Sequence, residues 1–227
     1  MLNLDVITKD PGIGRKLLIG SLLAFTGLGM ILVVGWMVEV MRRNLTEDAP
    51  FWPEWDDFGK YAIDGLKVAG WGLVWSLPLV VVVIGTTVLG IFGSSQMDPE
   101  QAGAILLVVY LCVLGLVFPF IIVMLLLSGP AMGVLAETGS LKEMLKPAET
   151  FRVFRANAGG FVIAGLLSTV VNMALGSVGA LLCMIGIYPA FVVSYGVQGQ
   201  LFGKAYRDAK GKLANTNFGT NDLSQST

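Results

Sequence analysis

The sequence contains no histidine, only two cysteines and few charged residues, and each shortage excludes a class of site. Without histidine there is no Ser-His-Asp triad, no histidine-ligated zinc and no histidine-ligated haem. Cys112 and Cys183 stand inside apolar runs without Cys-x-x-Cys spacing, which indicates neither a disulfide framework nor a thiolate metal site. A net charge of -1 leaves no basic footprint for nucleic acid. We therefore expect no catalytic residue, no metal or other cofactor, and no enzyme activity.

Charge is missing altogether from four long stretches of the chain, residues 17–38, 68–97, 101–136 and 156–203. Each is longer than the roughly 20 residues with which a helix crosses about 30 Å of hydrocarbon. With 55% hydrophobic and 14% charged residues, a soluble globule could not bury so many continuous apolar runs. The predicted fold class is all-α, a polytopic bundle of transmembrane helices that forms one integral membrane domain over residues 1–210.

The last of these stretches must contain a turn, because as one helix it would be about 70 Å long, more than twice the bilayer core. Glycines at both ends of Gly176-Ser177-Val178-Gly179 make this segment the predicted turn. Four clear spans are therefore predicted, near residues 66–92, 104–127, 160–176 and 180–203.

The N-terminal run allows two interpretations. Residues 17–38 could span the membrane once, which would export Lys9, Arg15 and Lys16. Alternatively the run bends at Gly27-Leu28-Gly29 into a re-entrant hairpin, which protein must cover because lipid cannot satisfy irregular backbone. Length favours the single span, whereas the charge count favours the hairpin.

Lysine and arginine are unevenly distributed among the connecting segments. Residues 42–67, 142–155 and 204–212 contain four each, whereas the short loops 93–103 and 177–179 contain none. Cytoplasmic loops carry the excess of Lys and Arg in membrane proteins. We therefore expect the three basic segments and the C-terminus to be cytoplasmic and the two short loops to be external.

Two parts of the chain resemble each other and predict an internal repeat. Cys112-Val-Leu-Gly-Leu-Val-Phe-Pro119 is similar to Cys183-Met-Ile-Gly-Ile-Tyr-Pro189, with one residue fewer. Two aromatic–polar triplets share one spacing: Phe58, Tyr61 and Asp64; Phe151, Phe154 and Asn157. The repeats would be residues 53–137 and 147–207, with 104–133 superposing on 174–203. The alternative is chance similarity within an apolar alphabet. A polar tail, residues 211–227, follows and is predicted to be disordered.

Aromatic residues flank the predicted spans, as is typical of rings at headgroup depth. The predicted interfacial anchors are Trp52, Trp55, Phe58, Tyr61, Phe151 and Phe154. Glu54, Asp56 and Asp57 lie among the first four and could hold a divalent cation. No spaced set of oxygen ligands accompanies them, so a capped and solvated helix start is the favoured interpretation.

A second interfacial segment precedes the third span. Ser140-Leu-Lys-Glu143 has the pattern of a capping box, and Pro147 is predicted to start the next helix. That helix carries Phe151 and Phe154 beside Arg152 and Arg155, an aromatic and basic face that could meet lipid phosphates. Ordinary positive-inside anchoring explains the same residues nearly as well.

Small and polar residues within the spans predict how the helices pack. Two pairs of glycines four residues apart should let helix backbones approach closely, namely Gly129 with Gly133 and Gly199 with Gly203. The polar residues at membrane depth include Asn172 and Gln198. Asn172 could line a polar path, but an interhelical hydrogen bond is the favoured role. Glu39, near Arg42 and Arg43, is interpreted as part of a surface ion pair.

Several of these segments resemble a known family. They are Gly35-Trp36, Arg42-Arg43, Pro53-Glu-Trp-Asp-Asp-Phe58, Asp64-Gly-Leu-Lys67, Glu149-Thr-Phe151 and the terminal stretch from Gly186 to Arg207. Together they are similar to the pattern of the prokaryotic domain of unknown function 4013 family, over roughly residues 15–207. The resemblance implies a multi-pass protein of a bacterial or archaeal plasma membrane. It implies no catalytic residue, since the family has no established activity.

Three functions remain open on the sequence. The first is a non-catalytic membrane protein, an accessory component that packs against other subunits or a second copy, or that organises lipid. The second is a small-solute transporter or channel built on the two-copy repeat. The third, an intramembrane enzyme acting on lipid, ranks last because no nucleophile–base pair or metal cluster is present.

Overall fold

The part of the chain described by the computed structural model, residues 10–46, 52–94, 97–181 and 186–224, is helical and contains no strand. The helices are α1 (Ile13–Phe25), α2 (Gly29–Thr46), α3 (Phe58–Ser94), α4 (Pro99–Thr138), α5 (Leu141–Met144), α6 (Pro147–Ala156), α7 (Ala158–Leu181) and α8 (Ile187–Ser224). The chain divides into two compact units. One combines residues 1–69 with 126–227, and the other is residues 70–125.

Three helices are long and apolar enough to cross a membrane, over Phe58–Ser94, Glu100–Thr138 and Ala158–Leu181. They contain the first three predicted spans. The fourth predicted span, 180–203, does not form one helix, since it covers the end of α7 and the first part of α8. The protein is thus an all-helical membrane protein with three candidate spans among its described residues.

The N-terminal apolar run bends. Gly27 lies between α1 and α2 with a φ of 71°, in the left-handed region that glycine adopts without steric cost. The 13 residues of α1 extend only about 20 Å, too short to cross the hydrocarbon alone. The bend of the hairpin interpretation is confirmed, and the single span through residues 17–38 is wrong.

The turn predicted at residues 176–179 is wrong, because α7 continues to Leu181. Gly179 instead allows a close helix contact, since a Cβ on it would lie 2.8 Å from the Gly186 carbonyl oxygen. At the other end of the same pair, the side chain of Asn157 donates to the Ala205 carbonyl. The helices α7 and α8 are therefore antiparallel neighbours, and the residues between them, 182–185, lie outside the described part of the chain.

Helix α8 is the centre of the larger unit. It packs against α7, α2, α1 and α6. Its Val192 and Val197 join the apolar core with Val33 and Val40 of α2. Because α8 is covered on several sides by protein, its apolar residues need little contact with lipid.

The repeat is not reproduced in the detail predicted for it. Residues 104–133 lie within α4, whereas 174–203 include parts of two helices, so the two segments cannot superpose over their whole length. Pro119 is far inside α4, but Pro189 stands in the first turn of α8, where a missing N–H costs no intrahelical hydrogen bond. The coarser repeat of residues 53–137 and 147–207 stays a prediction.

The predicted disordered tail begins within α8, which extends to Ser224. The Lys212 ammonium donates to the Asn157 side-chain oxygen at 2.7 Å. The first turn of the tail is therefore docked at the junction of α6 and α7, contrary to the expectation from its polar composition.

Candidate functional site

A cluster of buried aromatic rings joins the segment before α3 to helix α2. The Trp36 ring stacks on Trp55 at 5.1 Å and meets Trp52 edge-on at 5.5 Å. Tyr61 lies edge-on to Trp55 at 5.8 Å. All four side chains are at most 7% exposed. These rings therefore stabilise the protein core by apolar burial and by their edge and stacked contacts.

Three of the four ring polar groups in this cluster bond to main-chain carbonyls, whereas the Trp52 indole N–H has no hydrogen-bond partner among the described residues. The Trp36 indole N–H donates to the Pro53 carbonyl at 3.0 Å, and the Trp55 indole N–H donates to the Lys16 carbonyl at 2.9 Å. The Tyr61 hydroxyl donates to the Glu54 carbonyl at 2.7 Å. The segment before α3 is thereby pinned to both arms of the N-terminal hairpin.

The predicted interfacial anchors thus divide into two groups. Trp52, Trp55 and Tyr61 are core residues, because the hairpin and α8 enclose them; a Cβ on Gly196 of α8 would lie 2.5 Å from the Trp52 ring. Phe58 and Phe151 are 44% and 52% exposed and can meet lipid. The last anchor, Phe154, is half-buried against Phe161 of α7.

Lys16 forms a buried ion pair that the sequence analysis did not identify. Its side chain is 3% exposed, and its ammonium lies 2.6 Å from the Asp10 carboxylate and 3.1 Å from that of Glu54. The Trp52 carbonyl also accepts a hydrogen bond from this ammonium, at 2.7 Å. A buried ammonium is costly unless all its donors are used, and here three acceptors surround it. In the sequence, the one sign of this ion pair was that Asp10 stands six residues before Lys16, at the edge of an apolar run.

A second network surrounds Arg42 near the end of α2. Its guanidinium bonds to Glu39 and, at 2.8 Å, to Asp64 of α3. Asp64 is 5% exposed and also pairs with Lys67 at 3.1 Å. Burial lowers the pKa of Arg42, but the hydrogen bonds to Asp64 and Glu39 outweigh it, so the pKa lies above its ordinary value. Glu39 also pairs with Lys60 and is only 13% exposed, which corrects its interpretation as a surface residue.

Arg42 and Lys67 of this network also cap the end of α4. Arg42 donates to the Ala136 carbonyl at 3.0 Å, and Lys67 donates to the Gly139 carbonyl at 2.8 Å. The last carbonyls of a helix have no intrahelical partner and carry partial negative charge, so cations stabilise them. This network therefore ties α2 and α3 to the end of α4.

A third group of polar contacts joins α8 to α4. The Tyr206 hydroxyl donates to Glu137 at 2.6 Å, and Lys210 pairs with the same carboxylate at 2.9 Å. Burial and the hydrogen bond to Glu137 raise the pKa of Tyr206, so its hydroxyl stays a neutral donor. The basic segments 42–67 and 204–212 thus converge on one end of α4. We call the contacts of Arg42, Lys67 and Lys210 with this helix end the charged layer.

The predicted glycine pairs lie at close helix contacts. A Cβ on Gly199 would lie 2.9 Å from the Met37 carbonyl oxygen, and one on Gly203 would lie 2.9 Å from the Asn44 side chain. Gly129 and Gly133 of α4 face the rings of Phe202 and Tyr206. Helix α8 therefore offers glycines to α2 and aromatic rings to the glycines of α4.

The amide side chains are arranged differently from the prediction. Asn172 is exposed on α7, and Gln198 is half-buried on α8. The hydrogen bond from an amide side chain to another helix is made instead by Asn157, which is 9% exposed. Gln200 is buried, and its side-chain oxygen has no hydrogen-bond partner among the described residues.

The predictions about helix starts are confirmed at α3 and α6 and wrong at α5. Asp57 caps α3, since its carboxylate accepts from the Lys60 N–H at 3.0 Å, which confirms the favoured interpretation of the acidic segment. The capping box at Ser140 is wrong, because its side chain makes no cap bond in the described structure. Glu143 pairs with Lys146 at 2.7 Å instead. Helix α6 begins at Pro147 as predicted.

Comparison with known proteins places the chain in a family without assigning it an activity. No curated protein and no solved structure matches the chain. One family model matches residues 18–184, a range that includes the hairpin from Leu18, the aromatic cluster, the end of α4 and all of α7. The protein therefore belongs to the family described as "Protein of unknown function (DUF4013)".

Proposed function

We propose that the protein is a non-catalytic component of a prokaryotic plasma membrane that packs against other membrane proteins or organises lipid around itself. The observation that carries this proposal is the outward apolar surface of the spans. In the most apolar 18-residue segment of each span, the buried share of the residues is 6% in α3, 0% in α4 and 17% in α7. Such surfaces are stable only where lipid or another membrane helix covers them.

The charged layer supports a topology with a cytoplasmic C-terminus. It gathers Arg42, Lys67 and Lys210, which come from segments distant in sequence, at one end of α4. Basic residues that share one side of a membrane protein are expected on the cytoplasmic side. In this topology α8 is the fourth span, returning the chain from the end of α7 to the charged layer.

The same topology makes the N-terminal hairpin re-entrant. The start of α1 is held through Lys16 to the segment before α3, and its far end meets α8, where the Phe25 and Tyr188 rings lie 5.3 Å apart. These contacts hold both ends of α1 to the protein. The bend itself, residues 26–28, is exposed, so in this topology a partner or a second copy must cover its irregular backbone.

Photo-crosslinking tests the packing role directly. A benzophenone amino acid at Leu89 or Phe118, which are 73% and 68% exposed, should crosslink in cells to another membrane protein or to lipid. The same probe at Lys142, an exposed residue outside the spans, is the matched control and should not give those products. Identical products from all three positions would contradict the proposal.

The transporter alternative has its own test in proteoliposomes. A polar path along Asn172 and Gln198 was its predicted feature, but Asn172 faces outward on α7. We expect Asn172→Leu to change the melting temperature little, since Asn172 is exposed and the amide that bonds across helices belongs to Asn157. A saturable solute flux that Asn172→Leu abolishes would replace our proposal with transport.

A further inference from the structure

Helix α6 is amphipathic and lies where the chain enters a membrane span. It ends at Ala156, and α7, a candidate span, begins at Ala158. Val153 is fully buried on its inner side, whereas Phe151 is 52% exposed on its outer side. Since only Asn157 separates the two helices, the outer side of α6 must lie close to the membrane surface.

The orientation of α6 is set by contacts at this junction. The Phe154 and Phe161 rings lie 6.2 Å apart and join α6 to the first turn of α7. Asn157 donates to the Ala205 carbonyl and accepts from Lys212, which anchors the junction to α8. The outer side of α6 is therefore a fixed surface of the protein.

Two arginines accompany the exposed ring on this surface. The Arg155 guanidinium lies over the Phe151 ring at 5.9 Å, and no carboxylate of the described residues forms an ion pair with it. Arg152 pairs with Glu149 at 2.7 Å but remains 59% exposed. By contrast, the two lysines at the start of α3 have partners within the protein. Lys60 pairs with Glu39, and Lys67 pairs with Asp64 and donates to the carbonyl at the end of α4. Helix α6 thus keeps positive charge available to a ligand.

A recess of about 290 Å³ adjoins this surface. Arg152 and Lys210 line it together with the apolar side chains of Leu213 and Ala214. A wall that combines basic and apolar groups suits a molecule with an anionic head and an apolar body. A free phosphate ion would use the charges but would gain nothing from Phe151 or Leu213.

We propose that α6 and this recess bind the headgroup of an anionic membrane phospholipid. Arg155 and Arg152 donate hydrogen bonds to phosphate oxygens, for which the planar guanidinium is well suited. Phe151 lies at the boundary between headgroups and acyl chains. This inference rests on the lipid-organising part of the proposed function and names the lipid class and the residues that recognise it.

Native mass spectrometry of the full-length protein in mild detergent tests the lipid site. Equal amounts of phosphatidylglycerol and phosphatidylcholine with identical acyl chains are added, and the ratio of bound lipids is measured. We expect phosphatidylglycerol to be retained preferentially. Each arginine removed, in R155Q and then in R152Q/R155Q, should lower that preference about five-fold, the effect of one basic residue near an anionic surface.

Matched variants separate a site from a general charge effect. K142Q/K146Q removes two exposed positive charges beside α6 and should leave the lipid ratio unchanged. F151A should weaken the binding of both lipids and preserve the ratio. Arg155 has no acidic partner among the described residues, so R155Q alone suffices if the double variant does not fold.

Three results would overturn the lipid site. They are an unchanged ratio in R155Q, an equal loss in K142Q/K146Q, and displacement of the lipid by inorganic phosphate at the same concentration. The experiment contains only the purified protein and lipid. Its failure would leave the packing role standing, and the absence of protein crosslinks from Leu89 and Phe118 would leave the lipid site standing.

Discussion

Single buried charges in this protein hold together segments that are far apart in sequence. Lys16 joins α1 to the segment before α3, and Arg42 joins α2 to α3 and to the end of α4. The Lys16 side chain is 3% exposed and that of Arg42 is 23% exposed, and each charged group is surrounded by acceptors. The energetic consequence of losing one partner is larger than the net worth of the pair, because the remaining charge stays buried.

Lys16→Ala should destabilise the protein strongly. It would leave the Asp10 carboxylate, 3% exposed, without its ammonium partner, which costs about 3–5 kcal/mol for a buried pair. Thermal unfolding in detergent, followed by circular dichroism, measures the loss. Lys146→Ala is the matched control, because its pair with Glu143 is half-exposed and should contribute less than about 1 kcal/mol. Equal melting temperatures for the two variants would show that Lys16 is not buried as described.

At the scale of helices, small residues and rings determine which helices touch. Gly199 and Gly203 bring α8 against α2, while the rings of Phe202 and Tyr206 pack on Gly129 and Gly133. Dispersion contacts are the main source of helix association where lipid offers no hydrophobic drive. Close approach at these glycines is therefore a direct contribution to stability.

Gly203→Leu should separate α8 from α2 and lower the melting temperature. Even a Cβ there would lie 2.9 Å from Asn44 and 3.1 Å from the Met41 carbonyl oxygen, so a larger side chain must displace backbone, at about 1–3 kcal/mol. Gly176→Leu on α7 is the control, because no atom lies within 4 Å of the position its Cβ would take. Size-exclusion chromatography and thermal unfolding in detergent compare them. A larger loss from the control than from Gly203→Leu would refute the packing assignment.

At the scale of the whole molecule, the basic segments define one side of the protein. Residues near the ends of α2 and α4 and just before the start of α7 meet residues 205–212 of α8 or one another through ion pairs and hydrogen bonds. The start of α1 is held to the segment before α3 by the hydrogen bond from the Trp55 indole to the Lys16 carbonyl. This arrangement supports the topology proposed above, with the C-terminus on the cytoplasmic side.

Cysteine labelling tests that topology after both native cysteines, Cys112 and Cys183, are replaced by serine. Cysteines at Met97 and Leu181, at the far ends of α4 and α7, should react with an impermeant maleimide in intact cells. Cysteines that replace Arg15 and Lys142 should react only after permeabilisation, because the re-entrant hairpin starts and α7 enters the membrane on the cytoplasmic side in this topology. Labelling of the cysteine that replaces Arg15 in intact cells would contradict the re-entrant hairpin.

The sequence by itself determined the protein class, three of the four predicted spans, a capped helix start at the acidic segment before α3 and the helix start at Pro147, and it offered the bend near Gly27 as one of two interpretations. Run length, local capping residues and backbone freedom are properties of neighbouring residues, so they can be read along the chain. Tertiary structure alone decided that Gly179 serves a helix contact rather than a turn, that Trp52 and Trp55 lie in the core, and that Lys16 is buried. These outcomes depend on which distant segments approach one another, and aromatic, glycine and charged residues have more than one stable environment in a membrane protein. For the exposed face of α6 the sequence shows the composition, but only the structure shows that Arg155 lies over Phe151 and has no ion pair with a carboxylate of the described residues.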